Sequence, residues 1–158
     1  MKKFFALALF VLAVLVTGAS AQRNVTPAID RDPLMEIDAK HNLDVAQQYF
    51  SPLKKAYKSV LSRFEETFAA YPDFSKIDEF LYLAGMSSYY LAEGKGKQKV
   101  DPKNEKEKGK FAPAKLREDA KMYLTMLIEK HPDSKYAADG KKTLDLLKAV
   151  SLTNIPPM

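Results

Sequence analysis

The sequence predicts an all-α protein, a single domain of about five antiparallel helices. Three observations carry this. Apolar residues recur at spacings of three and four in five separate windows, the period of a helix with one buried face. No window sustains a period-two alternation, so no half-buried strand is indicated. One helix-ending signal, an aromatic or His followed by Pro-Asp, occurs twice, in "AAYPDFSKIDEF" and in "EKHPDSKYAADG". Two such stops in 158 residues point to two copies of one unit.

The elements follow in chain order. Lys2 and Lys3 precede an apolar run from Phe4 to Val16, and Ala19-Ser20-Ala21 supplies the small residues of a cleavage site. Residues 1–21 therefore read as a cleaved secretory signal peptide, and the expected location is periplasmic or secreted. Residues 22–31 have no period and read as a flexible linker. The sequence contains no Cys. That excludes a disulfide framework, a thiolate nucleophile and a thiolate metal ligand, and no lipid anchor on a lipoprotein-type Cys is expected. The fold must hold by core burial.

The helical domain is expected over 32–150, with a tail at 151–158. Asp32 suits an N-cap and Pro33 a first helical position, and Ala39, Leu43, Ala46 and Phe50 then line one face. Ser51-Pro52 has the same signature and is expected to end the first helix and start the second. The second helix would bury Leu53, Ala56, Val60, Phe64, Phe68 and Tyr71 and end at Pro72. Ser75 with Asp78 reads as a capping box for a third helix over Lys76–Glu93. That helix is apolar on nearly all sides, with Phe80, Leu81, Leu83, Ala84, Met86, Tyr89, Tyr90 and Leu91, so it should lie at the centre.

Residues 94–113 interrupt the pattern. They carry Lys95, Lys97, Lys99, Lys103, Lys106, Lys108 and Lys110 against three acids, with few apolar groups, and are expected to be a disordered Lys-rich insertion. A fourth helix resumes near Ala114 with Leu116, Ala120, Leu124, Leu127 and Ile128 inward and stops at Pro132. Ser134 then caps a fifth, which turns Tyr136, Ala137, Leu144 and Leu147 inward.

Superposing Pro72 on Pro132, an offset of 60, brings Val60 onto Ala120, Phe64 onto Leu124 and Phe68 onto Ile128. The unit is a helix, a Pro-Asp turn and a second helix, with the insertion lengthening one copy. Residues 34–148 resemble the tetratricopeptide repeat. In "FLYLAGMSSYYLAEG", Leu81, Ala84-Gly85 and Ser88 stand at the Trp, Leu-Gly and Tyr positions of that repeat. Ala120, Leu124 and Pro132 stand at its second-helix Ala, aromatic and Pro positions. "VLSRFEETFAAYPDFSKIDEFLYLAG" and "EDAKMYLTMLIEKHPDSKYAAD" look like the BamD-type outer membrane protein assembly factors. The resemblance implies a right-handed solenoid of antiparallel helix pairs, and a periplasmic scaffold that helps assemble outer membrane proteins. The chain departs from that family in lacking the lipoprotein Cys and in having fewer repeats.

Residue chemistry points away from an enzyme. His41 and His131 have no ligand partner at helical spacing, the adjacent carboxylates read as caps or solvated faces, and Ser87-Ser88 has no nearby His. No catalytic residue, metal site or cofactor is expected. The expected partner is an envelope protein or peptide, held in a groove lined by the first helix of each pair. Lys40, Asp44 and Gln47 would face it from the first helix, and Glu79, Tyr82, Met86 and Tyr89 from the third. Covering of Met86 and Tyr89 by neighbouring helices is the other reading of that face. The basic loop reads either as a solvated spacer or as a contact with an anionic membrane surface. Nucleic acid is not expected, because the chain is exported and the loop has no aromatic before Phe111. Self-association is a further expectation, since so short an array buries each face only against a neighbour. Two alternatives stand beside assembly of outer membrane proteins. One is a cell-division or peptidoglycan-linked coordinator of the same fold. The other is a peripheral binder acting through the Lys-rich loop.

Overall fold

The computed structural model describes residues 31–101 and 103–153, apart from the side chains of 150–153. The segment expected to be a signal peptide, nearly all of the expected linker and most of the expected tail lie outside the described residues. Six helices follow one another: α1 (Pro33–Phe50), α2 (Tyr57–Ala70), α3 (Ile77–Ala92), α4 (Glu105–Lys110), α5 (Pro113–Lys130) and α6 (Ala137–Thr153). Among the described residues there is no strand. Helices α1, α3 and α6 form one layer, and α2 and α5 pack against it. This arrangement of helix pairs is that of a tetratricopeptide-like solenoid.

The repeated stop is a repeated structure. The Tyr71 amide donates to the Thr67 carbonyl, Phe74 to Tyr71, Ile77 to Phe74 and Phe80 to Lys76. The same four bonds recur sixty residues on, from His131, Ser134, Ala137 and Gly140 to Leu127, His131, Ser134 and Tyr136. Each Pro has no amide with which to extend the helix, so the ladder stops at Tyr71 and at His131. Burial repeats as well. Val60 and Ala120 are buried, Phe64 and Leu124 are buried, and Phe68 and Ile128 are half-buried against the core.

Helix α3 is the centre. Phe80, Leu81, Ala84, Ser87 and Ser88 are all buried, and α1, α2, α5 and α6 each touch it. Phe64 joins three helices, with ring centroids 5.6 Å from Phe80 on α3 and 4.8 Å from Tyr123 on α5. Gly85 lets α5 approach: a Cβ there would stand 2.7 Å from Leu124 Cγ and Cδ2. Helix α6 repeats only one side of α3. Gly140, Thr143, Leu144 and Leu147 are buried like Phe80, Leu83, Ala84 and Ser87. Lys141, Asp145 and Lys148 are exposed where α3 buries Leu81, Gly85 and Ser88.

Four expectations need correction. Ser51-Pro52 does not start α2. The Lys54 and Lys55 amides fold back onto the Ser51 carbonyl, and Lys55 then turns left-handed with φ +45°, which no helix accommodates. Leu53, expected in the core, is consequently 84% exposed. Ser75 caps nothing: its amide donates to Glu36 on α1, and α3 starts without a side-chain cap. The insertion is structured in part. Asn104 caps α4 through the Glu107 amide, and Phe111 is buried. A single aromatic anchor holds a segment whose charge predicted disorder. The tail begins later than expected, because α6 runs on to Thr153.

Candidate functional site

The layer α1–α3–α6 places the sequence-predicted groove residues on neighbouring helices. The turn chemistry sets their alignment. Glu36, in the first turn of α1, accepts the Ser75 amide that leads into α3. Asp78, in the first turn of α3, accepts the Ser134 hydroxyl at 2.6 Å in the turn that leads into α6. A first-turn carboxylate thus grips the entrance of the next helix twice. The Ser134 hydroxyl also accepts the Tyr136 amide at 3.2 Å, which fixes the residue before α6.

That fixed Tyr136 lies on the Tyr82 ring of α3, with centroids 4.9 Å apart and planes at 20°. The Lys135 ammonium sits 4.7 Å above the Tyr136 ring. Gln47 of α1 donates to Glu79 of α3 at 2.6 Å. The Glu79 carboxylate also lies near the Tyr136 phenol, which burial and that carboxylate push above its usual value. Burial, then Asp139, pushes the Tyr82 phenol up likewise. One polar-aromatic row, Gln47–Glu79–Tyr136–Tyr82, therefore links α1, α3 and the turn that leads into α6. Both phenols stay neutral near pH 7 and can donate hydrogen bonds, while the stacked rings offer apolar area.

The remaining predicted residues divide. Lys40 and Asp44 are exposed on α1 and pair with one another at 3.0 Å, an i,i+4 bridge that leaves both accessible. Tyr89 is half-buried beside Tyr90, with the Lys95 ammonium 5.3 Å from its ring centroid. Met86 is 7% exposed, so the covered reading of that residue is the correct one. Tyr136 belongs to the row, whereas its helical spacing indicates only an inward-facing residue. The signal that could have found it is its place two residues after Ser134, inside the repeated turn.

The basic loop does not form one free cluster. Lys108 pairs with Glu105 and Lys110 with Glu65. Lys97 donates its ammonium to the Leu53 carbonyl at 2.7 Å. Lys58 of α2 pairs with Glu107 of α4, which holds that carboxyl below its usual value, helped by the Asp101 amide. Lys106 lines an open cleft of about 390 Å³ between α2 and the insertion, together with Lys58, Ser59, Gln98 and Phe111. Ser87 and Ser88 are fully buried on α3. His41 is exposed on α1, and His131 supplies the C-cap of α5 through its backbone. Among the described residues no group of His, Cys, Asp or Glu is arranged to hold a metal ion. Among them, too, no helix is long and apolar enough to cross a membrane.

Paired helices in register, with a polar-aromatic row along one layer, define a tetratricopeptide-type helical scaffold. A family model described as YfiO, outer membrane lipoprotein, matches residues 19–151, and the chain belongs to that family. It is a BamD-like protein, a helical scaffold related to outer membrane assembly. No curated protein and no solved structure matches the chain.

Proposed function

We propose that the protein works in the periplasm as an assembly scaffold for outer membrane proteins, and that it holds an envelope protein or peptide against the α1–α3–α6 layer. The observation that carries this reading is the row Gln47–Glu79–Tyr136–Tyr82, which ties α1, α3 and the entrance of α6 into one face. Tyr rings with neutral hydroxyls suit a contact surface, because they combine apolar area with directional bonds. Family membership supports the outer membrane setting. The signal-peptide pattern of residues 1–21 supports export.

The test is complementation of a depleted strain, with the amount of folded β-barrel protein in the outer membrane as the readout. Wild type should restore that amount. Tyr82→Ala together with Gln47→Ala should fail while the purified variant keeps its helical content. A variant that complements fully would overturn the assignment of the face. Unchanged barrel levels on depletion, with a defect in septation or cell-wall attachment instead, would favour a division or peptidoglycan role for the same fold.

A further inference from the structure

Two loops distant in sequence are stitched into one edge of the molecule. The first is the α1–α2 connection, Ser51–Ala56, and the second is the start of the insertion, 95–99. The Lys97 amide donates to the Lys55 carbonyl at 3.0 Å, and its ammonium to the Leu53 carbonyl at 2.7 Å. Gln98 exchanges two bonds with Ser59, at 2.8 and 3.2 Å. The Lys58 ammonium reaches the Lys99 carbonyl at 3.1 Å. These bonds hold Lys55 in its left-handed conformation and present Leu53 to solvent at 84% exposure. Strain of that kind persists only where the surroundings impose it.

The edge concentrates one sign of charge. Lys54, Lys55, Lys95, Lys97 and Lys99 lie on these two short segments, and no acidic side chain among the described residues pairs with any of them. Of the acids nearby, Glu107 pairs with Lys58, Glu65 with Lys110 and Glu93 with Arg117, while the Asp101 carboxylate accepts the Lys103 amide. The carbonyl and ring contacts of Lys97, Lys95 and Lys54 orient these ammoniums without neutralising them.

We infer that this edge docks on an anionic lipid surface, with the lysines over the headgroups and Leu53 inserted at the interface. Both halves of the site fit a bilayer. Ammonium groups gain from a negative surface, and an apolar side chain gains from the acyl boundary just beneath it. An acidic protein segment would account for the lysines and leave the exposed Leu53 without a role. This inference goes beyond the partner face on α1–α3–α6 and stands apart from it, because the two surfaces share no residue.

Vesicles of phosphatidylglycerol, and separately of phosphatidylcholine, serve as probes for the exported form of the protein. The sequence contains no Trp, so Leu53→Trp creates a single reporter of burial at the tip. Its emission should shift to the blue with phosphatidylglycerol and stay unchanged with phosphatidylcholine. In co-sedimentation, Lys54→Gln and Lys99→Gln should each weaken partitioning about fivefold, and Leu53→Ser should weaken it as well, with melting temperatures unchanged. High salt should release the protein. Failure to bind phosphatidylglycerol, equal binding to both vesicles, or an indole emission from the Leu53→Trp variant that is indifferent to lipid would each overturn the inference. Binding to polyglutamate without vesicle binding would overturn it in favour of an acidic protein segment. The barrel-level readout above does not depend on any of these outcomes.

Discussion

Gly85→Ala is the most discriminating perturbation of this fold, because two effects of opposite sign meet at one atom. Alanine in a helix interior is favoured over glycine by about 1 kcal/mol. The added Cβ, however, would stand 2.7 Å from both Leu124 Cγ and Cδ2, where carbon atoms prefer about 3.5–4.0 Å. Leu124 must then move by roughly an ångström as a unit, since its branch point and not only its tip is in the way. It is fully buried, so its neighbours, Gly140 of α6 among them, must take up the shift. Overpacking of this kind costs about 1–3 kcal/mol. The overlap wins, and we expect a net loss of about 1 kcal/mol. Urea unfolding followed by far-ultraviolet circular dichroism would measure it. Leu124→Ala alone should cost about 2–5 kcal/mol. In that background Gly85→Ala should turn stabilising by up to about 1 kcal/mol, since the overlap is gone and the backbone preference remains. The same substitution with the same sign in both backgrounds would refute the close approach of α3 and α5.

Leu81→Ala should cost about 2–5 kcal/mol in the same titration, because Leu81 is 1% exposed on the central helix. Ser134→Ala should lose about 1 kcal/mol through the missing bond to Asp78, while Ser75→Ala, whose hydroxyl caps nothing, should be neutral within about half of that. The insertion should loosen in acid. Lys58 and the Asp101 amide hold the Glu107 carboxyl below its ordinary value of 4.5, so its contribution is complete above that value and is lost as pH falls through the lowered one. Amide exchange at 105–111 should accelerate over that range relative to α3, and Glu107→Gln should abolish the difference. Burial pushes the Tyr123 phenol up to about 12, so its ionisation should come as a late phase in an alkaline absorbance titration. Because the unfolded phenol ionises first, the protein should lose stability as pH rises above the ordinary value of 10.0.

The repeat was legible because its grammar is local. Pro72 and Pro132 mark helix ends by removing a donor, and the apolar positions before them keep one spacing, so burial could be read at Phe64 and Leu124 alike. The α1–α2 connection was misread for an equally physical reason. Ser51-Pro52 carries the same N-terminal signature as Asp32-Pro33, which does start a helix. What separates them is the left-handed Lys55 and its bond to Lys97, a partner 42 residues away that no window contains. The insertion misled in the same way, since its anchors, Phe111 and Glu107, both meet Lys58 on α2. On the candidate face, helical spacing found Gln47, Glu79 and Tyr82. It could not say that Met86 is covered, nor that Tyr136, outside a helix, completes the row.

The one-sided character of α6 sets a rule for growth. A further helix pair stacked on it would have to desolvate Lys141, Asp145 and Lys148, and break the 2.8 Å Lys141–Asp145 bridge, where α3 offers Leu81, Gly85 and Ser88 to its own neighbour. Hydration of those three side chains therefore opposes close packing of a helix on that side of α6, whereas Leu146, exposed beside them, does not. Rewriting those three positions in the vocabulary of α3 would remove that cost, and would give α6 a second apolar side on which another copy could stack.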